Sequence, residues 1–138
     1  MTYEQLDFIA DSYIPVLSVF TLFYLVKMML TSEFRQVFRH LVSIFLSIII
    51  VYLVMFLDIK LGIWPYLGFD YSTHTALSLA FVSYYIFRGK AQMMIAVTSL
   101  FSYFTLMLYQ EYHTVVDILS TSFVLLPLFF ILQIKGQK

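Results

Sequence analysis

The stretch LVSIFLSIIIVYLVMFL, residues 41–57, contains no charged side chain, no glycine and no proline, and it is closed by Arg39-His40 on one side and Asp58 on the other. A helix crossing about 30 Å of hydrocarbon needs around 20 mostly apolar residues, and a run of this length with charge only at its ends reads as such a crossing. The apolar residues follow one another without alternation, so barrel strands are not a rival. Working outward, similar stretches occupy 13–30, where Lys27 near the end can snorkel outward, and 91–109 and 115–134. A shorter uncharged run, Thr75 to Phe87, reaches spanning length only if it begins near residue 72, which sets His74 at the membrane rim. The expected fold is all-α: a polytopic transmembrane helical bundle of five spans (about 13–30, 41–57, 72–87, 91–109 and 115–134), forming one integral membrane domain over 1–138.

Composition agrees with this. Hydrophobic residues make up 62% of the 138 and charged residues 12%, about half the charged share of a soluble domain. Eight basic and eight acidic residues cancel, so no net field draws the chain to nucleic acid, and the partner implied is the lipid bilayer. The absence of cysteine excludes disulfides, thiolate catalysis and cysteine-ligated metal sites. Met1 to Asp11 carries three acids and no base, unlike the basic start of a cleavable signal, so the first span is expected to stay in the mature protein.

The connections sort by charge. Arg35 and Arg39 lie between spans one and two, Arg88 and Lys90 between three and four, and Lys135 and Lys138 after five; Glu4, Asp7, Asp11, Asp58, Asp70, Glu111 and Asp117 lie on the other side with Lys60. Basic connections face the cytoplasm, which predicts an outer amino terminus and a cytoplasmic carboxyl terminus. His74 and His113 then share the outer face, at the starts of two parallel spans.

Ionisable groups at membrane depth are expensive and mark functional sites. His113 and Asp117 are four apart, so a helix would put them on one face with the carboxylate accepting a proton from the imidazole. His113 is then a base or nucleophile, and His74 can protonate an oxygen leaving from the opposite side of a phosphorus centre. Backbone N–H groups at the two helix starts can hold phosphoryl oxygens. Tyr71, Ser72 and Thr73 at the start of the third span, and Lys60 before it, are the candidate substrate-binding residues. Ser72 is also placed to cap a helix. Trp64, Tyr66, Tyr71, Tyr109 and Tyr112 read as an interfacial aromatic belt, and His40 as polar flank on the cytoplasmic side.

Tyr71-Ser72-Thr73-His74-Thr75 resembles the Y-S-G-H-T segment of the type-2 phosphatidic acid phosphatase superfamily, and His113-Thr114-Val115-Val116-Asp117-Ile118 resembles its H-x3-D-[VI] segment. The form is most similar to the sphingomyelin synthase-like branch, and the resemblance covers roughly Asp70 to Leu125. It implies a nucleophile at His113, oriented by Asp117, with His74 as general acid on the outer or lumenal face, without metal or other cofactor. The phosphatase branch also carries K-x6-R-P and S-R elements. Here Leu106 and Met107 stand in the S-R positions, Trp64-Pro65 where an arginine is expected, and Thr73 where glycine is usual. The synthase-like branch dispenses with S-R, which leans the expected substrate toward a phosphodiester-linked lipid. The expectation is a membrane phosphatase or phosphotransferase acting on a lipid that carries a phosphate ester, with room for an oligomer or a partner subunit. Two other readings fit the residues: a catalytically silent scaffold or lipid-binding subunit, and a metal site on the two histidines with Asp70 and Asp117.

Overall fold

The computed structural model describes residues 2–137, the side chain of Gln137 excepted; Lys138, counted above among the cytoplasmic bases, lies outside them. The described residues form helices α1 (Tyr3–Thr31), α2 (Phe34–Leu61), the short α3 (Ile63–Tyr66), α4 (Thr73–Ile86), α5 (Lys90–Tyr109) and α6 (Val115–Gln137), with no strand. Four of these, α1, α2, α5 and α6, are long and apolar enough to cross a bilayer, which marks an integral membrane protein.

Helix ends follow local chemistry more than the edges of the apolar runs. α1 starts ten residues before residue 13 because Thr2 and Gln5 form a reciprocal capping box. α2 continues past Asp58 until Gly62 turns the chain at φ 62°, a left-handed conformation in which a Cβ would be strained. Asp58 is buried there and accepts the Trp64 N–H at 2.8 Å, tying α3 back onto α2.

α4 differs from its expected form. It has 14 residues, about 21 Å at 1.5 Å each, and begins at Thr73, with Tyr71 and Ser72 non-helical. The physical reason lies in where the backbone donors go: the Asp70 N–H reaches the Asp117 carboxylate at 2.8 Å and the Ser72 N–H reaches the Thr121 hydroxyl at 3.2 Å. With α6 supplying acceptors, the segment needs no helical hydrogen bonds to stay satisfied away from water.

α4 is the axis of the bundle and contacts α1, α2, α5 and α6. Every residue from Ser78 to Tyr84 is buried. Ala76, Ser78, Ala80 and Ser83 keep the helix narrow, as close helix packing in membranes requires. Leu79, Val82, Val51, Leu100, Leu125 and Phe129 fill the centre around it. Cross-contacts fix the directions. Tyr71 reaches Val51 while Arg88 reaches His40, so α4 opposes α2. Ser72 meets Thr121 and Phe87 meets Phe130, so α4 and α6 run parallel. One end of the bundle therefore collects Glu4, Asp7, Asp11, Asp58, Asp70, Glu111, Asp117 and Lys60, and the other Lys27, Arg35, Arg39, Arg88, Lys90 and Lys135 with Glu33.

The interior is polar where a soluble core is not. Ser43, Ser47, Thr75, Thr121 and Gln133 are buried while Phe20, Phe23, Phe123 and Ile95 face outward. Gln133 accepts from the Ser43 hydroxyl at 2.7 Å and donates to the Ser47 hydroxyl at 3.3 Å, joining α6 to α2. Interhelical hydrogen bonds in membranes contribute about 0.6 kcal/mol on average and rarely above about 1.7. Gln133→Leu, which keeps volume and deletes both bonds, is expected to lower stability by about 1 kcal/mol in reversible unfolding from mixed micelles. Gln133→Ala should cost more, through the added cavity.

Candidate functional site

At the acidic end the start of α4 stands beside the turn that joins α5 to α6. Ser72 caps α4: its Oγ accepts the Thr75 N–H at 3.1 Å and donates to the Thr75 hydroxyl at 2.8 Å, and the residue is fully buried. His74 follows one residue into the helix and is exposed. Its ring lies parallel to that of Tyr112, with centroids 6.2 Å apart and planes 7° apart. The His113 ring is also 6.2 Å from His74, tilted by 54°. Residues separated by 39 positions thus converge, and each imidazole can reach one atom placed between them.

Asp117 behaves differently from its expected role. His113 is not on a helix with it, because α6 begins at Val115 and His113 lies in the preceding turn. The Asp117 carboxylate is committed to backbone and cap: one oxygen accepts the Asp70 N–H, the other the Thr114 N–H and the Thr114 hydroxyl, each at 2.8 Å. The Asp117 N–H donates back to the Thr114 hydroxyl at 3.3 Å. This is a capping box on Thr-x-x-Asp, a spacing readable in Thr114-Val115-Val116-Asp117. Among the described residues no hydrogen bond joins Asp117 to His113; the carboxylate acts on the imidazole through space.

Burial, and then the neighbouring His74, hold His113 below the ordinary histidine value of 6.5, against the opposite pull of Asp117 and Asp70. At neutral pH His113 is therefore uncharged, with a free lone pair.

The other candidates lie apart from the two imidazoles. The Tyr71 hydroxyl donates to the Val51 carbonyl at 2.9 Å and its ring meets Trp64 edge-on at 5.1 Å. The Thr73 hydroxyl points at the Met55 sulfur, 3.6 Å away. Lys60 is exposed and lies along its own helix, 5.7 Å from the Phe56 ring centre. No described contact brings a lysine or arginine to either histidine. Trp64 is buried, its indole N–H donating to Ser120 at 3.0 Å, so it is a packing residue and not part of an interfacial belt; Tyr66 and Tyr109 are exposed.

Two residues enter the site that the sequence did not single out for it. Tyr112, read as belt, stacks on His74 and donates its hydroxyl to Asp7 of α1. Gln110 is buried, donates to Asp7 at 3.5 Å, and its backbone carbonyl accepts the Tyr3 hydroxyl at 3.2 Å. These are contacts across more than 100 residues, and no local spacing announces them. No group of three or more His, Asp or Glu side chains is arranged to hold a metal ion among the described residues.

No family model matches the chain, and neither a curated protein nor a solved structure shows significant similarity to it.

The electrostatics give a direct test. In an NMR titration His113 should lose its proton below pH 6.5, and His74→Ala, which removes the neighbouring positive charge, should move that midpoint upward. Because the folded value is lower than the unfolded one, the unfolded chain binds more protons between the two. Stability should therefore fall as pH drops from about 6.5 through the folded value.

Proposed function

We propose that the acidic end is a phosphate-ester site and that the protein is a membrane-embedded phosphatase or phosphotransferase acting on a phosphate-linked lipid. The observation that carries this reading is the 6.2 Å approach of His74 and His113 from separate elements, one exposed and the other held neutral. The resemblance of Tyr71 to Thr75 and of His113 to Ile118 to the type-2 phosphatidic acid phosphatase superfamily, in its sphingomyelin synthase-like form, points the same way. So does the charge separation between the two ends, which supports five spans with the short α4 as the third, the amino terminus outside and the site on the extracytoplasmic or lumenal face.

In this mechanism the neutral His113 nitrogen attacks phosphorus, forming a P–N bond as the P–O bond to the lipid breaks. His74, as imidazolium, gives its proton to the departing oxygen. Water, or an acceptor hydroxyl, then attacks the phosphohistidine and yields a proton to His74; the P–N bond breaks and the electron pair returns to His113. Tyr112, anchored by Asp7, holds the His74 ring in plane. Helix-start N–H groups at α4 stand where lysines and arginines are lacking.

A specific observation supports the rival scaffold reading: the Asp117 carboxylate is fully engaged by Asp70 and Thr114, and among the described residues no cation contacts the imidazoles of His74 and His113. Turnover decides between them. Purified protein with EDTA present is expected to cleave or transfer from at least one member of a panel of lipid phosphates and phosphodiesters, and His113→Ala to abolish this. His74→Ala should lose far less activity on a p-nitrophenyl ester, whose leaving group needs little protonation, than on a lipid ester. No turnover by folded wild type on any phosphate ester would establish the scaffold.

Orientation has its own measurement. In intact cells Gln5→Cys should react with an impermeant thiol reagent and Lys90→Cys should not; the reverse pattern would move the site to the cytoplasmic face.

A further inference from the structure

At the basic end α2 and α6 are drawn together by small residues. A Cβ on Gly136 would sit 2.9 Å from that of Ser43, so the helices nearly touch there. Beside this contact opens a groove of about 270 Å³, lined by Phe38, Arg39, Val42, Leu46, Leu132 and Lys135. Its chemistry is ordered by depth. Arg39 and Lys135 stand at the rim, near the start of α2 and the end of α6. Val42 and Leu46 follow Arg39 at i+3 and i+7 on the same helix face, about 4.5 and 10.5 Å further in at 1.5 Å per residue. A cationic rim above an apolar trough matches an amphiphile with an anionic head.

Among the described residues neither Arg39 nor Lys135 has an ion-pair partner. Arg39 is half-buried and its Nε is enclosed with no hydrogen-bond partner. Close by, Arg88 places its terminal nitrogens 2.6 and 3.0 Å from the two ring nitrogens of His40 and its guanidinium 4.1 Å from the Tyr84 ring centre. A neutral imidazole offers one acceptor, so His40 is occupied by Arg88 and adds no negative charge. Glu33 is the single acid between residues 12 and 57, and it is exposed, with no described ion pair to Arg39. Of the two groove cations Arg39 is half-buried and Lys135 exposed; a half-buried guanidinium without a partner anion is costly, and an arriving phosphate lowers that cost.

We propose that this groove binds an anionic phospholipid of the facing leaflet, its headgroup phosphate between Arg39 and Lys135 and part of one acyl chain along Phe38, Val42, Leu46 and Leu132. The site lies at the opposite end of the bundle from His74 and His113 and is independent of their chemistry. A volume of about 270 Å³ is near the lower limit of ligand sites, about 300 Å³, and suits a phosphate and a short length of chain.

The test is a binding titration of the full chain in neutral detergent with fluorescent phosphatidylglycerol, and with phosphatidylcholine for comparison. Wild type should prefer phosphatidylglycerol, and R39Q combined with K135Q should weaken its binding by about tenfold or more while leaving phosphatidylcholine unchanged. R39K should retain most of the affinity. Leu46→Trp, which fills the trough and keeps both charges, should weaken binding as well. Lys90→Gln, a cation of the same end outside the groove, should bind as wild type does. Equal binding of the two lipids, or an unchanged affinity in the double variant or in Leu46→Trp, would overturn the proposal. Competition by inorganic phosphate at concentrations comparable to the lipid would overturn the acyl part. Should the double variant not fold, R39K and Leu46→Trp decide the question by themselves.

Discussion

The backbone N–H groups of Asp70 and Ser72 find their acceptors outside any helix of their own, and the rest of the acidic end depends on how they do so. Asp117 takes the Asp70 N–H and Thr121 the Ser72 N–H, both from α6. Non-helical backbone at membrane depth is tolerated only where protein satisfies it. The same carboxylate also caps α6 through Thr114. One side chain thereby caps α6 and ties the approach to α4, whose own cap is Ser72, to the start of α6. His74 is the second residue of α4, and His113 immediately precedes Thr114. Their separation is set by Asp117 as a structural brace more than as an orienting partner for an imidazole.

The short α4 follows from the same arrangement. A helix of 14 residues has too few turns to cross alone; the extended approach tied to α6 precedes it, and four longer helices surround it. Its serines and alanines let α2, α5 and α6 come close, and the hydroxyls of Ser78 and Ser83 bond to carbonyls of their own helix, at 2.9 and 3.0 Å, so these two donors stay satisfied in the close approach. Polar residues inside and aromatic residues outside are consistent with a lipid solvent, in which sequestering a hydroxyl matters more than sequestering a phenylalanine.

Four long apolar helices and the sorting of charge between two ends were legible in the sequence because both are properties of composition along the chain. The pairing of His74 with His113 was legible as well, since each falls at the start of an apolar run and parallel runs put their starts together. What could not be read was the partner of Asp117. Its four-residue spacing from His113 implies a shared face only if both lie on a helix, and the Thr114 cap stops the helix short of His113. The Thr-x-x-Asp spacing carried that information but competed with the His-x3-Asp one. Trp64 was misread for a different reason: its indole N–H finds Ser120, 56 residues away, and burial of that kind leaves no local mark. Asp7 and Tyr112 likewise meet only through the tertiary fold.

The charge around the imidazoles constrains what the acidic end can hold. Asp7, Asp70 and Asp117 all lie near the rings, and the nearest described cations are at the far end or, like Lys60, turned along their own helix. Carboxylates without a neighbouring cation repel a dianionic phosphomonoester more strongly than a phosphodiester, which carries a single charge. A neutral His113 is suited to the less charged ester, because it attacks without first being deprotonated and its lone pair adds no further negative charge. In the proposed transfer Asp117 and Asp70 favour the positive charge that attack develops on His113. An arrangement that disfavours a dianion can therefore still favour the proposed phosphodiester transfer, because the positive charge that attack brings to His113 grows toward the transition state while His74 gives up its own.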